Sequence, residues 1–239
     1  MANRSKRWRG ARGLVDPDRR YTLGEAVALV RENATARFDE TIEVAVRLGV
    51  DPRQADQMIR GAVSLPHGTG RKVRVVVFAQ GDAARAALDA GADAVGSDDL
   101  VQRIQTEGWL EFDKAVATPD LMPKVSRLGK ILGPRGLMPN PKVGTVVPGD
   151  RIAETVREIR AGKIEFRVEK AGIIHAAVGK ASMTEQQLTE NITTLVQTLV
   201  RMKPTSAKGT YVRTVALAST MGPGIRIDTN DLTRTSDQV

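Results

Sequence analysis

The feature of this sequence that most constrains its fold is a pattern of strands that changes twice along the chain. Residues 41–50, TIEVAVRLGV, place apolar side chains at every second position, as in a strand that buries one face. Residues 74–79, RVVVFA, form a continuous apolar run, which is typical of a strand covered on both faces. After Gly162 the alternating pattern returns in KIEFRV. One kind of sheet is therefore interrupted by another.

The two ends of the chain are predicted to fold together. About two strands precede residue 66 and about three follow residue 162, and two strands alone do not form an independently stable sheet. We therefore predict a split α+β domain, with an antiparallel sheet and helices, from residues 1–69 and 160–239. Strands alternate with helices between them, which predicts an inserted β/α domain with a parallel sheet at 70–159.

Two helices of the split domain carry clear local signals. Thr22 followed by Glu25 is a capping box, in which each side chain satisfies a backbone amide of the first helical turn. Further on, one apolar stripe at helical spacing predicts a long helix packed against the sheet. The stripe consists of Leu188, Ile192, Leu195 and Leu199.

The chain must cross between the domains twice, and both crossings are rich in helix and strand breakers. We predict a hinge at Pro66, Gly68 and Gly70 on the outward path and at Gly162 on the return. The segment LPHGTG also faintly resembles an oxyanion loop. Because no G-x-S-x-G nucleophile motif accompanies it, a structural joint is the favoured interpretation.

Composition bounds the function. A net charge of +8 and a pI near 10.0 favour a polyanionic partner, first of all nucleic acid. Aromatic residues make up only 3%, which favours a folded RNA over an unpaired strand held by base stacking. With no cysteine and two histidines, we expect no catalytic residues, no metal site and no cofactor. The sequence has no membrane-length apolar run and no signal peptide, so we expect a cytoplasmic protein.

Two basic segments stand out. The first fifteen residues carry five basic and no acidic side chains, which we interpret as a mobile arm. The segment LGKILGPRGLMPNPK, residues 128–142, lies in a stretch with five basic and no acidic residues between Asp120 and Asp150. Its prolines and glycines predict a rigid, basic loop with an apolar tip. Composition leaves a structural clasp and a phosphate contact equally open, for Lys130, Arg135, Met138 and Lys142.

Two further features have both a structural and a functional interpretation. Phe38 is flanked by polar residues at a helix-to-strand joint, where a lone phenylalanine is more often part of the core. The segment STMGPG, residues 219–224, offers hydroxyls, a soft thioether and glycines that permit close backbone approach. It is also consistent with a plain strand end followed by a turn.

These segments together resemble the ribosomal protein L-one family, the stalk proteins of the large ribosomal subunit. The match runs from about Tyr21 to Ile227, and the central loop and the TMG motif are specific to that family. The segments that carry it are FDETIEVAVRLGVDPR, GAVSLPHG, GADAVG, LGPRGLMPNPK, GTV, IEFR, VGKAS, KGTYVR and STMGPG. The fold that the resemblance implies is a split α+β domain with an inserted three-layer, Rossmann-like β/α domain.

The resemblance also implies a function. Members of the family bind folded large-subunit ribosomal RNA at the mobile stalk beside the tRNA exit site. They assist the release of deacylated tRNA, and many repress their own mRNA by binding a mimic of the ribosomal RNA. This chain is accordingly expected to be a monomer within the ribosome, with ribosomal RNA, exit-site tRNA and its own mRNA as partners and no membrane partner.

By the same resemblance, the RNA surface belongs chiefly to the split domain, and the loop at 128–142 is an interdomain clasp or a secondary RNA contact. The RNA-binding residues that the resemblance implies are Arg37, Phe38, Thr41, Glu169, Lys170, Ser219, Thr220, Met221 and Gly222.

Two other functions are weighed against this one. A small-ligand or enzymatic module on the inserted domain predicts a deep pocket with shifted titratable groups above the strand carboxyl ends. A general nucleic-acid coat protein predicts binding without RNA selectivity once salt is raised.

Overall fold

The computed structural model describes residues 5–236, and the chain divides into two compact units, residues 1–70 with 164–239 and residues 71–163. The helices are α1 Lys6–Gly13, α2 Leu23–Glu32, α3 Gly81–Asp89, α4 Asp98–Glu107, α5 Met122–Val125, α6 Gly129–Leu132, α7 Ile152–Ala161, α8 Glu185–Arg201 and α9 Thr229–Ser236. The strands are β1 Thr41–Leu48, β2 Arg60–Ser64, β3 Val75–Phe78, β4 Ala94–Gly96, β5 Lys114–Ala117, β6 Lys163–Arg167, β7 Ile173–Lys180, β8 Val212–Ser219 and β9 Ile225–Ile227.

The split unit is built around strand β1. Its four-stranded sheet has the order β7-β1-β8-β9, and the pairs β1–β7, β1–β8 and β8–β9 are antiparallel. Both partners of β1 follow the inserted unit in the sequence, so neither end of the chain forms this sheet without the other. The strands β2 and β6 pair separately as a two-stranded sheet.

The core of the split unit lies on one face of the four-stranded sheet. The even-numbered positions of β1, from Ile42 to Leu48, are buried, as the alternation predicts. They join a core that includes the stripe of α8, whose four side chains are 0% exposed. Burial of each such side chain stabilises the fold by about 1.5–3 kcal/mol. The capping box at Thr22 and Glu25 is also confirmed.

The inserted unit is a three-layer β/α structure, which confirms the predicted fold class. Its sheet has the order β4-β3-β5, and the strands are parallel. Val76 and Phe78 of β3 pack in one core with α4, whereas Val75 and Val77 pack in another with α7. The continuous apolar run is explained because its successive side chains enter two cores.

The sequence predicts domain boundaries at 69/70 and 159/160. The two compact units of the structure divide at 70/71 and 163/164. Helix α7 runs to Ala161, and Gly162 ends it with a left-handed backbone and an amide that donates to the carbonyls of Glu158 and Ile159. The return crossing therefore follows a helix that belongs to the inserted unit. A hinge at these residues stays a prediction.

The outward crossing is anchored by the amide of the buried Asn191 on α8. Asn191 Oδ1 accepts from the backbone amide of His67 at 3.1 Å, and Nδ2 donates to the carbonyls of Gly68 and Val178 at 2.9 and 2.8 Å. Pro66 and Gly68 are therefore fixed on the split unit. Gly68 and Gly70 both adopt positive φ, with values of 63° and 69°.

The segment 128–142 differs from the predicted loop in two respects, the first of which is that Gly129–Leu132 form helix α6. Lys130, Arg135 and Lys142 are exposed, but Met138 is half-buried against the core of the inserted unit. The predicted apolar tip at Met138 is therefore wrong, because Leu137 and Met138 pack against the core, whereas residues 133–136 are exposed. A contact of this loop with RNA or with the split unit stays a prediction.

The basic N-terminal segment forms helix α1 from Lys6 to Gly13, which the interpretation of residues 1–15 as a mobile arm did not include; residues 1–4 lie outside the described part of the chain. The mobility of the arm stays a prediction. The Ser5 hydroxyl caps the helix by accepting from the amide of Trp8. Val15 anchors the segment in the core of the split unit. The sequence missed this helix because it has two glycines and buries no apolar stripe.

Candidate nucleic-acid interface

Two large apolar side chains are exposed where β1 begins and β8 ends. Phe38 is 55% exposed and Met221 is 49% exposed, so the interpretation of Phe38 as a core residue is excluded. Their segments are joined by three hydrogen bonds between Thr41 and Thr220, two of which pair the backbone amide of each with an oxygen of the other at 3.0 Å. We call this surface the shelf; it consists of Arg37, Phe38, Thr41, Thr220, Met221 and Gly222.

The carboxylate of Glu40 fixes the two halves of the shelf. Glu40 is 1% exposed, and its two oxygens accept hydrogen bonds from the backbone amides of Ala36 at 2.8 Å and Met221 at 2.9 Å. One buried side chain therefore holds the loop that carries Phe38 and the turn that carries Met221. Sequence reasoning missed Glu40, because an acidic residue before a strand ordinarily lies at the surface.

The surroundings of Glu40 favour its charged form. Burial opposes ionisation, but the hydrogen bonds from the amides of Met221 and Ala36 outweigh it and hold the pKa of Glu40 below its ordinary value. The Ser219 hydroxyl and the positive charge of Arg7 in α1 contribute in the same direction. The structure thus places a basic helix within electrostatic reach of the shelf.

Ser219 has a different place from the one predicted. It is buried, on the core side of β8, and its hydroxyl lies under the backbone of Gly222. The hydroxyl makes no hydrogen bond of standard geometry, although it is close enough to Glu40 to affect that carboxyl. Ser219 therefore supports the turn from below. A Cβ atom at Gly222 would collide with the Ser219 Oγ, so a larger residue there would force the hydroxyl to move.

A lysine that sequence reasoning did not single out borders the shelf. Lys180 Nζ donates to the hydroxyl of Thr41 at 2.9 Å and to the carbonyl of Asp39 at 3.3 Å. Its position follows from the register of the sheet, in which Thr41 lies opposite Lys180. The shelf and the bordering Lys180 therefore bring apolar, hydroxyl and cationic groups together at one end of the sheet.

The outer face of the sheet, which continues from the shelf, carries small side chains beside the exposed Glu43 and Arg47. Ala45 faces outward on β1 and lies opposite Ala216 of β8, and Ala177 of β7 and Ala218 of β8 lie opposite Glu43. All four alanines are partly exposed. Because their side chains are single methyl groups, another backbone can approach this face closely.

Glu169 and Lys170 lie at the far end of that face. Their hairpin connects β6 to β7, and Glu169 is held by backbone bonds to Ile173 and Gly172. With a rise of about 3.4 Å per residue, the length of β1 separates the hairpin from the shelf by roughly 24 Å. Apart from the buried Ser219, the predicted RNA-binding residues therefore occupy two ends of one sheet face. His175 Nε2 lies 3.7 Å from the Glu169 carboxylate at the hairpin end.

Other kinds of site find little support in the residues described, 5–236. No group of three or more His, Asp or Glu side chains is arranged to hold a metal ion within this range, and no helix of it is long and apolar enough to cross a membrane.

In the inserted unit, burial opposes ionisation of Asp113, but bonds from Arg74 and the charge of Arg71 lower its pKa. Asp113 precedes β5, at the edge opposite the one where ligands bind parallel sheets.

Comparison with known proteins agrees with this architecture. The sequence matches the Ribosomal protein L1p/L10e family over residues 30–223. The chain belongs to this family. It is similar to the large ribosomal subunit protein uL1 of Syntrophobacter fumaroxidans, with 58% identity over 95% of this chain and 96% of the relative. The corresponding proteins of Chloroflexus aurantiacus and Chloroflexus aggregans are 55% identical over the same shares.

Family membership confirms several expectations from the sequence. The resemblance to the ribosomal protein L-one family was correct, and the chain is a ribosomal protein rather than an enzyme. The expected location, in the cytoplasm on the ribosome, is confirmed by the same relatives. The alternative of an enzymatic β/α module is therefore wrong.

The role of Glu40 can be tested by Glu40→Gln. The substitution replaces one accepting oxygen by an amino group that faces a backbone amide, so we expect a loss of about 2 kcal/mol in the free energy of unfolding at pH 7. Because the pKa of Glu40 is lowered on folding, the wild-type advantage is present above the unfolded value of about 4.5 and is lost as pH falls through the lower folded value.

Urea denaturation at a series of pH values between about 7 and 3.5 measures this difference. Glu43→Gln on the exposed face of β1 is the matched control and should change stability by less than about 0.5 kcal/mol. A penalty for Glu40→Gln that is the same at both ends of the pH range would show that the charge of Glu40 plays no part.

Proposed function

We propose that the protein is a structural constituent of the large ribosomal subunit, where it binds folded ribosomal RNA of the mobile stalk near the tRNA exit site. The observation that carries this proposal is the shelf, on which Phe38 and Met221 are exposed although both segments are fixed by Glu40 and Thr220. Exposed large apolar side chains on a rigid support are typical of an interaction surface. The names of the relatives support the place of the protein in the large ribosomal subunit.

The chemistry of the shelf suits the backbone of a folded RNA. A-form RNA presents 2′-hydroxyls and phosphates across a wide, shallow minor groove, which proteins recognise by shape and by contacts with these groups. The alanine-lined sheet face permits close approach, and Phe38 and Met221 supply apolar contact. Arg37 and Lys180 at the shelf and Lys170 at the hairpin supply positive charge for the phosphates.

The same surface explains the two further activities that we assign to the protein. An mRNA segment that imitates the stalk RNA would occupy the shelf, so ribosomal RNA and the protein's own message would compete for it, as autogenous repression requires. We assign assistance in the release of deacylated tRNA because the proposed binding site, the mobile stalk, lies near the tRNA exit site. Both activities rest on recognition of one RNA shape by the split unit, with the loop at 128–142 as a secondary contact.

Selective binding distinguishes this function from that of a general nucleic-acid coat protein. In a competition assay at about 200 mM salt, we expect the stalk RNA to be preferred over a random duplex of equal length by at least tenfold. Charge-driven binding weakens for both RNAs as salt rises, whereas fit to the shelf is retained for one. Equal affinities at this salt concentration would contradict the proposal and favour the coat protein.

The shelf itself can be tested by Met221→Asp. A carboxylate placed against the RNA backbone should weaken binding of the stalk RNA by about 1–3 kcal/mol, through lost contact and repulsion. Leu88→Asp is the matched control, because Leu88 is 56% exposed on α3 of the inserted unit. Equilibrium binding of both variants to the same RNA measures the difference. Wild-type affinity of Met221→Asp would remove the shelf from the binding surface.

A further inference from the structure

A cavity of about 780 Å³ opens at the hairpin end of the split unit. One wall is the segment that follows β1, and the other is the end of β6 with its hairpin. No residue of the shelf lines this cavity. Its lining residues are Pro52, Arg53, Met58, Arg167, Val168, Glu169 and Lys170. The volume lies in the range of small-ligand sites, about 300–1,000 Å³.

The first wall is held in shape by its own hydrogen bonds. The side chain of Gln57 is buried; its oxygen accepts from the amide of Asp51 at 2.8 Å, and its nitrogen donates to Gln54 at 2.7 Å. The Asp51 carboxylate in turn accepts from the amide of Arg53 at 3.1 Å. Arg53 and Met58 are therefore presented by a rigid loop.

The second wall is equally constrained. The amide of Val168 donates to the carbonyl of Ile59 at 2.9 Å, which ties the two walls together at the base of the cavity. In the hairpin, the amide of Gly172 donates to the carbonyl of Glu169, and Gly172 has a φ of 75°. The cavity thus exists before any ligand binds, and binding requires little ordering of the protein.

The lining has two chemical parts. Pro52, Met58 and Val168 are apolar, and Met58 is 37% exposed. Arg53, Arg167 and Lys170 are exposed cations, whereas Glu169 is the acidic residue of the lining and its carboxylate is near His175. The complementary ligand has a flat apolar portion joined to an anionic group. A thioether and an arginine plane are both suitable partners for a nucleobase.

We propose that this cavity receives an unstacked nucleotide of the RNA that lies along the sheet face, with the base against Met58 and the adjoining phosphates at Arg53, Arg167 and Lys170. This inference rests on the proposed function, since the shelf and the cavity are joined by the length of β7. Folded RNAs are recognised in sequence-specific fashion chiefly through bases that leave the stack. The cavity would supply the sequence-specific part of a recognition that is otherwise governed by shape.

An abasic scan combined with a protein variant tests the inference. Each unpaired nucleotide of the large-subunit stalk RNA is replaced in turn by an abasic residue, and the affinity for the full-length protein is measured. We expect one replacement to weaken binding by about tenfold, and Met58→Ala to weaken binding of the unmodified RNA by a similar factor. The two changes together should cost little more than either alone, because they remove the same contact.

Leu88→Ala is the control, and it should retain the full effect of the abasic replacement. The inference is overturned if every abasic effect is the same in Met58→Ala as in the wild type, even though Met221→Asp still weakens binding; the proposed function then stands without it. If the wild-type protein does not distinguish the stalk RNA from a random duplex, the proposed function fails and this inference with it.

A free nucleotide has the same base and phosphate groups as a nucleotide of the RNA. Titration with a nucleoside monophosphate in the absence of RNA distinguishes these two possible ligands of the cavity. We expect the resonance of the Met58 methyl group to shift only at millimolar nucleotide, because a single nucleotide lacks the support of the shelf. Tight binding of the free nucleotide, unaffected by the stalk RNA, would identify a small-ligand site and overturn the inference.

Discussion

The pairing of β1 with both β7 and β8 is the constraint on which the split unit depends. These partners come from the part of the chain that follows the inserted unit, so the sheet closes only when the two ends meet. The entropic cost of closing such a long loop rises slowly with its length, whereas burial of the β1 and α8 side chains contributes in proportion to area. An inserted unit is therefore compatible with a stable sheet.

The closed sheet also creates the candidate interface. Because Ile42 lies opposite Ser219, the residues just before β1 and just after β8 meet at one edge. A buried carboxylate then converts this proximity into a defined shape, since Glu40 accepts amides from both segments. The segments that carry the exposed Phe38 and Met221 are held by that carboxylate and by the hydrogen bonds between Thr41 and Thr220. The same hydrogen bonds therefore hold the two segments together and shape the candidate interface.

The sequence was sufficient for features that depend on local pattern. The alternation of β1, the apolar run of β3 and the stripe of α8 each predicted the element and its buried face, because burial follows the periodicity of the backbone. The short strand β9 and the helix α9 were missed. Three residues of β9 carry too little pattern, and α9 is positioned in part by a bond from the amide of Leu23 to Asp231.

The candidate site was less predictable for the same reason. Phe38 and the TMG turn were singled out from the residues, and the resemblance favoured their functional interpretation. Glu40 and Lys180 were not singled out, because their roles depend on partners far away in the sequence. The burial of Ser219 follows from its position on the core side of β8, which its hydroxyl chemistry does not reveal. The cavity beside Lys170 has walls from two segments that are distant in the sequence, so it could not be predicted before the fold was known.

Oxidative footprinting of the full-length protein with and without the stalk RNA tests the central claim most directly. Met221 and Phe38 are exposed, as are Met202 on the split unit and Leu88 on the inserted unit. We expect RNA to protect Met221 and Phe38 from oxidation and to leave Met202 and Leu88 unchanged. Unaltered oxidation of Met221 and Phe38, with protection confined to the loop at 128–142, would contradict the proposed interface.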